Sequence, residues 1–415
     1  MPPVSRRSFL AGLAAVPIGA RAWAGRSDPV DVPNVLVLCS DEHNPRYASP
    51  HRHPFVRTPN MERLAEMGTL YESTYCPSPL CMPSRSAYQA GRYVHEIQTY
   101  SNSNAIEHHY PSLGAALAGQ DVHTVHMGKM DVYTETANLG YSEYHHTMDR
   151  PPPGDTNIAR DPLCIRKGAH RRAKGYGPHE DAGAGDAFVV GEGIRWLEET
   201  APGLRQPWML AVSINAPHFP HVVPPELWQA YADHEDLPEH GMEAESASHP
   251  HAVDLRAHFE TNHFADEDVR GLRRGYYGAI TFVDRQLGRV LDALEASGRL
   301  GDTLVVYTSD HGEMLGTFGM WWKCSLYEDS ARVPLIVAGP GFGRGERVKT
   351  PVTTLDLQAS LFRALGRDRP DFWRGEPLQD VAKLDPSRVA FAEYHGHGVR
   401  HSSYMIRRGK WKYLH

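Results

Sequence analysis

Short apolar runs punctuate the chain at residues 34–39, 69–75, 122–127, 208–214, 303–308 and 334–337. Mostly apolar and rich in Val and Leu, they read as strands buried on both faces. Between them, residues 61–67, 113–118, 186–199, 266–297 and 355–365 read as helices. Strands alternating with helices predict an α/β fold, an open and largely parallel central sheet sandwiched by helices. Two stretches interrupt the pattern, the Pro/Gly/Arg-rich 150–181 and the His- and acid-rich 233–263, and both are expected as loops over the sheet. His234, His240, His249, His251, His258 and His263 in the second lack metal-ligand spacing and are expected to be solvated. Strand-like 389–394 and 404–407 then open a small C-terminal unit, and the chain stops in a third strand-like run at 411–415.

A length of 415 residues gives room for a large core and a smaller second unit, so the expected division is 25–375 for the main domain and 376–415 for the start of a C-terminal subdomain. Hydrophobic residues at 41% and charged residues at 22% exclude a disordered chain. No internal stretch has the length and apolarity of a membrane span, and a net charge of -7 argues against a nucleic-acid binder. The first 24 residues read as an address: Ser5-Arg6-Arg7-Ser8-Phe9-Leu10, an apolar run and A-x-A options at Ala20-Arg21-Ala22 or Ala22-Trp23-Ala24 form a twin-arginine signal. Export by that machinery after folding predicts a periplasmic or secreted protein, with cofactor insertion or residue modification completed in the cytosol. Cys39, Cys76, Cys81, Cys164 and Cys324 show no C-x-x-C spacing, and Cys76, Cys164 and Cys324 are free to pair in an oxidising compartment.

Two apolar runs end alike, in Ser40-Asp41-Glu42 and in Ser309-Asp310-His311-Gly312. Ligands of open α/β sheets bind beyond the carboxyl ends of strands, so these acids and the imidazole are expected to converge. Buried together they would repel one another, and a divalent cation with oxygen ligands relieves that cost. Either aspartate alone reads as a cap on a turn or helix; the matched pair favours a metal. The third chemical feature is Cys81-Met82-Pro83-Ser84-Arg85, where Ser84 and Arg85 open a helix. Its free N–H groups and the Arg85 fork suit a tetrahedral oxyanion.

Cys81-Met82-Pro83-Ser84-Arg85, followed by Ala90-Gly91-Arg92-Tyr93, resembles the C-x-P-S-R signature of the sulfatase family. The resemblance extends through residues 34–41, Thr58-Pro59-Asn60, Gly128-Lys129-Met130-Asp131, Ala216-Pro217-His218, residues 309–312, and Lys323 with Tyr327-Glu328 and Arg332-Val333-Pro334. It implies an alkaline-phosphatase-like fold and hydrolysis of a sulfate monoester, carbohydrate or small organic. It also implies that Cys81 is oxidised to Cα-formylglycine by a cytosolic formylglycine-generating enzyme, and that the aldehyde hydrate is the nucleophile. Asp41, Asp310, His311 and the modified Cys81 would bind one divalent metal, with Glu42 as a further candidate. Arg85 and Lys129 would stabilise the diol and the sulfate charge; His218 and Lys323 would hold sulfate and protonate the leaving oxygen. A hydrate outperforms a single alcohol because its second hydroxyl expels sulfate by reforming the aldehyde.

The chain departs from the family pattern at Glu42, where a second Asp is common; at His311, where Asn is common; and at Asp131, where a His acts as base in the second step. His311 keeps manganese and zinc open beside calcium, the first expectation. Asp131 is a candidate base, a structural anion paired with Lys129, or a mark of altered chemistry. These departures resemble the branch of choline-sulfatase-like enzymes, phosphonate monoester hydrolases and arylsulfatase K-like exosulfatases. The alternatives are therefore a phosphodiester or phosphonate monoester hydrolase on the same site, and a non-catalytic relative that binds sulfated glycans. Gly409-Lys410-Trp411-Lys412-Tyr413 resembles the start of the family's C-terminal sheet, so a truncated subdomain is expected. Trp321-Trp322 reads equally as core and as a box for a sugar or quaternary ammonium.

Overall fold

In a computed structural model, residues 33–103, 110–132, 139–148, 150, 153–381 and 387–415 are described. The expected leader at 1–24 lies outside them. The central sheet has eight strands: β1 Asn34–Asp41, β2 Thr69–Tyr71, β3 His123–Lys129, β4 Glu143–Met148, β5 Trp208–Pro217, β6 Thr303–Ser309, β7 Leu335–Ala338 and β8 Glu346–Val348, in the order β8-β2-β7-β6-β1-β5-β3-β4. β4, β3, β5, β1 and β6 run parallel. β7 is antiparallel to both neighbours, because the chain leaving β6 turns back at the same sheet edge instead of crossing over.

The unbroken apolar character of β1 has a direct cause. Val35 and Val37 point into one core with Leu113, Leu117, Leu357 and Leu361. Leu36 and Leu38 point into the other with Met61, Leu64, Val190, Leu197, Val283 and Leu287. Successive side chains of a strand alternate faces, and here both faces are covered by helices. The long helix Asp266–Ala296 and the helices Pro59–Met67 and Ala184–Glu199 cover one face; Leu113–Ala118 and Thr354–Ala364 cover the other.

Three expectations change in detail. The run at 69–75 is two strands, because Glu72 and Ser73 turn, and Thr74–Tyr75 joins a separate small sheet with Arg332–Val333 and Val352–Thr353. The stretch 233–263 is no solvated loop throughout: Pro250–Phe259 is a helix with Ala252, Leu255, His258 and Phe259 buried. All five cysteines are free thiols. At the C-terminus, Val389–Tyr394, Ser403–Arg408 and Trp411–Leu414 form an antiparallel sheet. It buries Ala390, Ala392, Tyr394 and Met405 and is tied down by Lys412 donating to Glu328 at 2.8 Å.

Candidate active site

Four adjacent strands deliver the site. In spatial order β6, β1, β5 and β3 end in Asp310-His311, Asp41-Glu42, His218 just past Pro217, and Lys129. Registry sets this convergence: Ser40 lies opposite Ser309, so Asp41 and Asp310 emerge side by side. The β1–β5 register slips between Cys39 and Asp41, the local irregularity that re-aims side chains at sheet rims. Gly128 is required on β3, since a Cβ there would lie 2.1 Å from the Ser213 carbonyl oxygen at φ +82°. Glu42, Asp131, Trp322 and Cys324 all hold positive φ, and the surrounding packing sustains that strain around the site.

Cys81 is the first residue of the helix Cys81–Ala90, which points its N-terminus at the strand ends. Ser84 Oγ donates to the Asp310 carbonyl at 2.6 Å, and the Met82 N–H donates to Asn102 Oδ1 at 3.0 Å. One ligand atom from each of Asp41, Cys81, Asp310 and His311 lies within 4.8 Å of all the others, and all four residues are buried. Cys81 Sγ is 3.3 Å from His311 Nε2. His311 Nδ1 donates to the Gly312 carbonyl at 3.1 Å, which turns Nε2 toward the cluster. Burial opposes its protonation, but Asp310 outweighs burial and brings the imidazole up to about 9, so a cation bound at Nε2 would displace a proton. Asp41 Oδ1 is buried with no hydrogen-bond partner. An orphaned carboxylate oxygen among three further donors fits a divalent cation. Glu42 falls in a different group, with Asp41 and His218.

The cationic side chains surround this cluster. Arg85 donates from Nε to Asp310 Oδ2 at 2.8 Å and from Nη1 to the Lys129 carbonyl and Ser213 Oγ, each at 2.9 Å. Its Nη2 is buried without a hydrogen-bond partner. Lys129 Nζ contacts Asp41 Oδ2. Lys323 Nζ donates to Glu42 Oε2 at 3.1 Å and to His218 Nε2 at 2.7 Å, while His218 Nδ1 donates to the Phe219 carbonyl at 2.6 Å. Asp131 takes a two-pronged bond from Arg150, at 2.8 and 2.7 Å, and lies 3.9 Å from Lys129.

Burial pushes the Cys81 thiol up, but Lys323, Lys129 and His311 together outweigh burial and bring it down to about 5. Position 81 therefore stabilises negative charge. Burial also raises the Glu42 carboxyl, and Lys323 and His218 more than offset it, to about 2. Asp131 is likewise lowered: burial opposes ionisation, and Lys129 and Arg150 overcome it. A carboxylate so held accepts protons poorly, which suits an anchor for Lys129 and Arg150 better than a base. Asp41, Glu42 and Asp310 against Arg85, Lys129 and Lys323 is a neutral set, so a bound divalent cation would leave the pocket positive toward an anionic ligand.

Cys81, Lys129, His218 and Lys323 line one cavity of about 340 Å³. Sequence reasoning missed other residues on its wall, Arg150, Asp155, Arg166 and Arg172. Their only trace was the arginine content of 150–181. Glu313 was also missed: it accepts from the N–H of Trp322 at 2.6 Å and of Leu315 at 2.7 Å, and so shapes the loop that carries Lys323. Trp321 and Trp322 are both 3% exposed; Trp321 is core, and Trp322 also lines this cavity.

The sulfatase family model matches residues 33–367. Choline-sulfatase of Rhizobium meliloti (strain 1021) is 30% identical over 408 residues, covering 92% of this chain and 78% of the relative. Arylsulfatase K of Danio rerio is 27% identical over 409 residues, covering 92% and 76%. Among solved structures, the phosphonate monoester hydrolase of Agrobacterium radiobacter aligns with a TM-score of 0.74 at 25% identity, covering 92% of this chain and 87% of that one.

Proposed function

The chain belongs to the sulfatase family and is a sulfuric ester hydrolase of alkaline-phosphatase-like fold; from that premise we propose that it cleaves sulfate monoesters of a carbohydrate or small organic alcohol, using a formylglycine made from Cys81 beside one divalent cation. The observation that carries the reading is the convergence of Asp41, Cys81, Asp310 and His311 at the start of a helix, ringed by buried cations.

Asp41, Asp310 and His311 would hold the cation together with an oxygen on residue 81, and there it would supply Lewis acidity toward the sulfate oxygens and the nucleophile. Calcium is the first choice for the oxygen ligands; His311 keeps manganese and zinc in play. When hydrated, a formylglycine at position 81 would supply two hydroxyls on one carbon, one a nucleophile toward sulfur and the other able to give its proton to water as sulfate leaves. Arg85 fixes Asp310 and Lys129 in place. Lys129, between Asp41 and Asp131, offers its charge to the hydrate and the sulfate. Lys323 and His218 share a proton across 2.7 Å and face the leaving-oxygen side, where donating it removes the alkoxide charge. Asp131 holds Arg150 and Lys129 rather than acting as base. The twin-arginine leader supports modification in the cytosol followed by export to the periplasm or medium.

Dialysis against a chelator is expected to lower kcat by about 10³-fold, since several kcal/mol of charge stabilisation goes with the cation. Adding back calcium, manganese or zinc separately, with kcat as readout, identifies the one that restores it. Turnover that survives chelation with no metal found by elemental analysis would contradict the site.

A phosphonate or phosphodiester hydrolase is the second reading, favoured by the similarity to the Agrobacterium radiobacter enzyme. Rates on matched aryl sulfate, phosphodiester and phosphonate esters separate the two. The sulfate is expected to have the highest kcat/KM; a dominant phosphonate rate would assign the second function.

A further inference from the structure

We propose that Arg172 recognises a second anionic group on the alcohol that the enzyme releases, so that the preferred substrate is an acidic sulfate ester rather than a neutral or cationic one. This rests on the sulfatase reading above and names its substrate class.

Five cationic side chains line the reaction cavity: Lys129, Arg150, Arg166, Arg172 and Lys323. Four of them are matched by carboxylates. Lys129 meets Asp41, Lys323 meets Glu42, Arg150 meets Asp131 and Arg166 meets Asp155. Arg172 has no carboxylate within ion-pair distance among the described residues. Its contacts are two aromatic rings, with the guanidinium carbon 5.0 Å from the Trp322 ring centre and 5.8 Å from that of Phe219. Those rings locate it relative to the chemistry. Trp322 precedes Lys323 and Phe219 follows His218, and Lys323 and His218 bond each other on the leaving-oxygen side. Arg172 thus stands one aromatic layer from the place where the alcohol departs.

The backbone holds it there. Arg172 lies in the short helix Ala169–Lys174, whose Ala169 and Ala173 are buried. The Gly175 N–H donates to the Arg172 carbonyl at 2.9 Å, and the His221 N–H donates to the Gly175 carbonyl at 2.8 Å. A Cβ at Gly175 would lie 2.3 Å from the Phe219 ring, so only glycine lets this turn press onto the aromatic pair.

A half-buried guanidinium without a direct ion pair has given up water for no bonded carboxylate. Burial first and the neighbouring Arg166 next disfavour its charge, and Glu42 and Asp155, beyond ion-pair distance, offset only part of that. A carboxylate or sulfate presented to its free fork relieves that cost through charge-assisted bonds. A quaternary ammonium has the opposite fate: the Trp322 and Phe219 rings it would use already carry a cation. Phe259, on the same cavity wall and 4.9 Å from Trp322 between ring centres, supplies an apolar surface for the body of the substrate.

The test compares kcat/KM of the wild type, Arg172→Gln and Arg172→Lys on p-nitrophenyl sulfate, choline O-sulfate, a 2-O-sulfated uronate and a disulfated glucosamine. The wild type is expected to favour an acidic sugar over choline O-sulfate. Arg172→Gln is expected to lower kcat/KM on the acidic sugar by about 10- to 100-fold, the worth of one or two bonds to a charged group, while p-nitrophenyl sulfate changes far less. Arg172→Lys should recover part of the loss. Loss on the uronate alone assigns a carboxylate partner, and loss on the disulfate alone assigns a second sulfate. An equal change on all four substrates, or none, overturns the proposal while leaving the sulfatase reading standing. Failure of the wild type to cleave any sulfate ester overturns both.

Discussion

Cys81→Ala is expected to abolish turnover, with kcat down by about 10⁴- to 10⁶-fold, the range seen when an enzyme loses its covalent nucleophile. The fold should survive. The substitution trims one sulfur at the first position of a helix that is anchored independently by Ser84 to Asp310 and by Met82 to Asn102. Circular dichroism and thermal unfolding beside the rate assay separate chemistry from folding. Cys81→Ser is the sharper companion. A serine left unmodified offers one hydroxyl, which can accept sulfate but has no second hydroxyl to expel it, so at most one equivalent of alcohol per enzyme is expected. Sustained turnover by an unmodified serine enzyme would contradict the hydrate mechanism.

Arg85→Ala should damage both activity and stability. Arg85 is 7% exposed and is the only arginine bonded to Asp310 among the described residues. Removing it leaves Asp310 without that partner and Asp41 with one cation fewer. Breaking a buried ion pair from one side costs about 3–5 kcal/mol, read as a drop in urea or thermal stability. The loss of a charge aimed at the reacting group should lower kcat by about 10²- to 10³-fold. Arg85→Lys keeps the charge but loses the fork that reaches Asp310, Lys129 and Ser213 together. It should recover stability more than rate. Full activity in the alanine variant would remove Arg85 from the mechanism.

Which parts of this arrangement the chain announces depends on the range of the interaction. β1 and β6 are recognisable because burial on both faces demands unbroken apolar residues, and Asp41 and Asp310 stand out because nothing apolar follows them. The reversal of β7 is not recognisable, since antiparallel and parallel core strands have the same apolar composition. Arg150 and Arg172 were hidden for another reason. They lie in an irregular segment where no periodicity assigns a face, and only tertiary placement distinguishes an arginine that clasps Asp131 from one over Trp322. His258 shows the same limit from the other side: a histidine in an acidic, polar stretch reads as solvated, yet the helix Pro250–Phe259 buries it and its Nδ1 donates to the Cys164 carbonyl at 2.5 Å. The role of Asp131 likewise depends on Arg150, nineteen positions away.

The central claim is that residue 81 works as an aldehyde hydrate rather than as a thiol. Peptide mass spectrometry across Cys81, on protein purified from its own cells so that the maturation enzyme is present, tests it most directly. A peptide carrying an aldehyde in place of the thiol, in proportion to specific activity, is the expected result. Active enzyme with unmodified cysteine at position 81 throughout would contradict it.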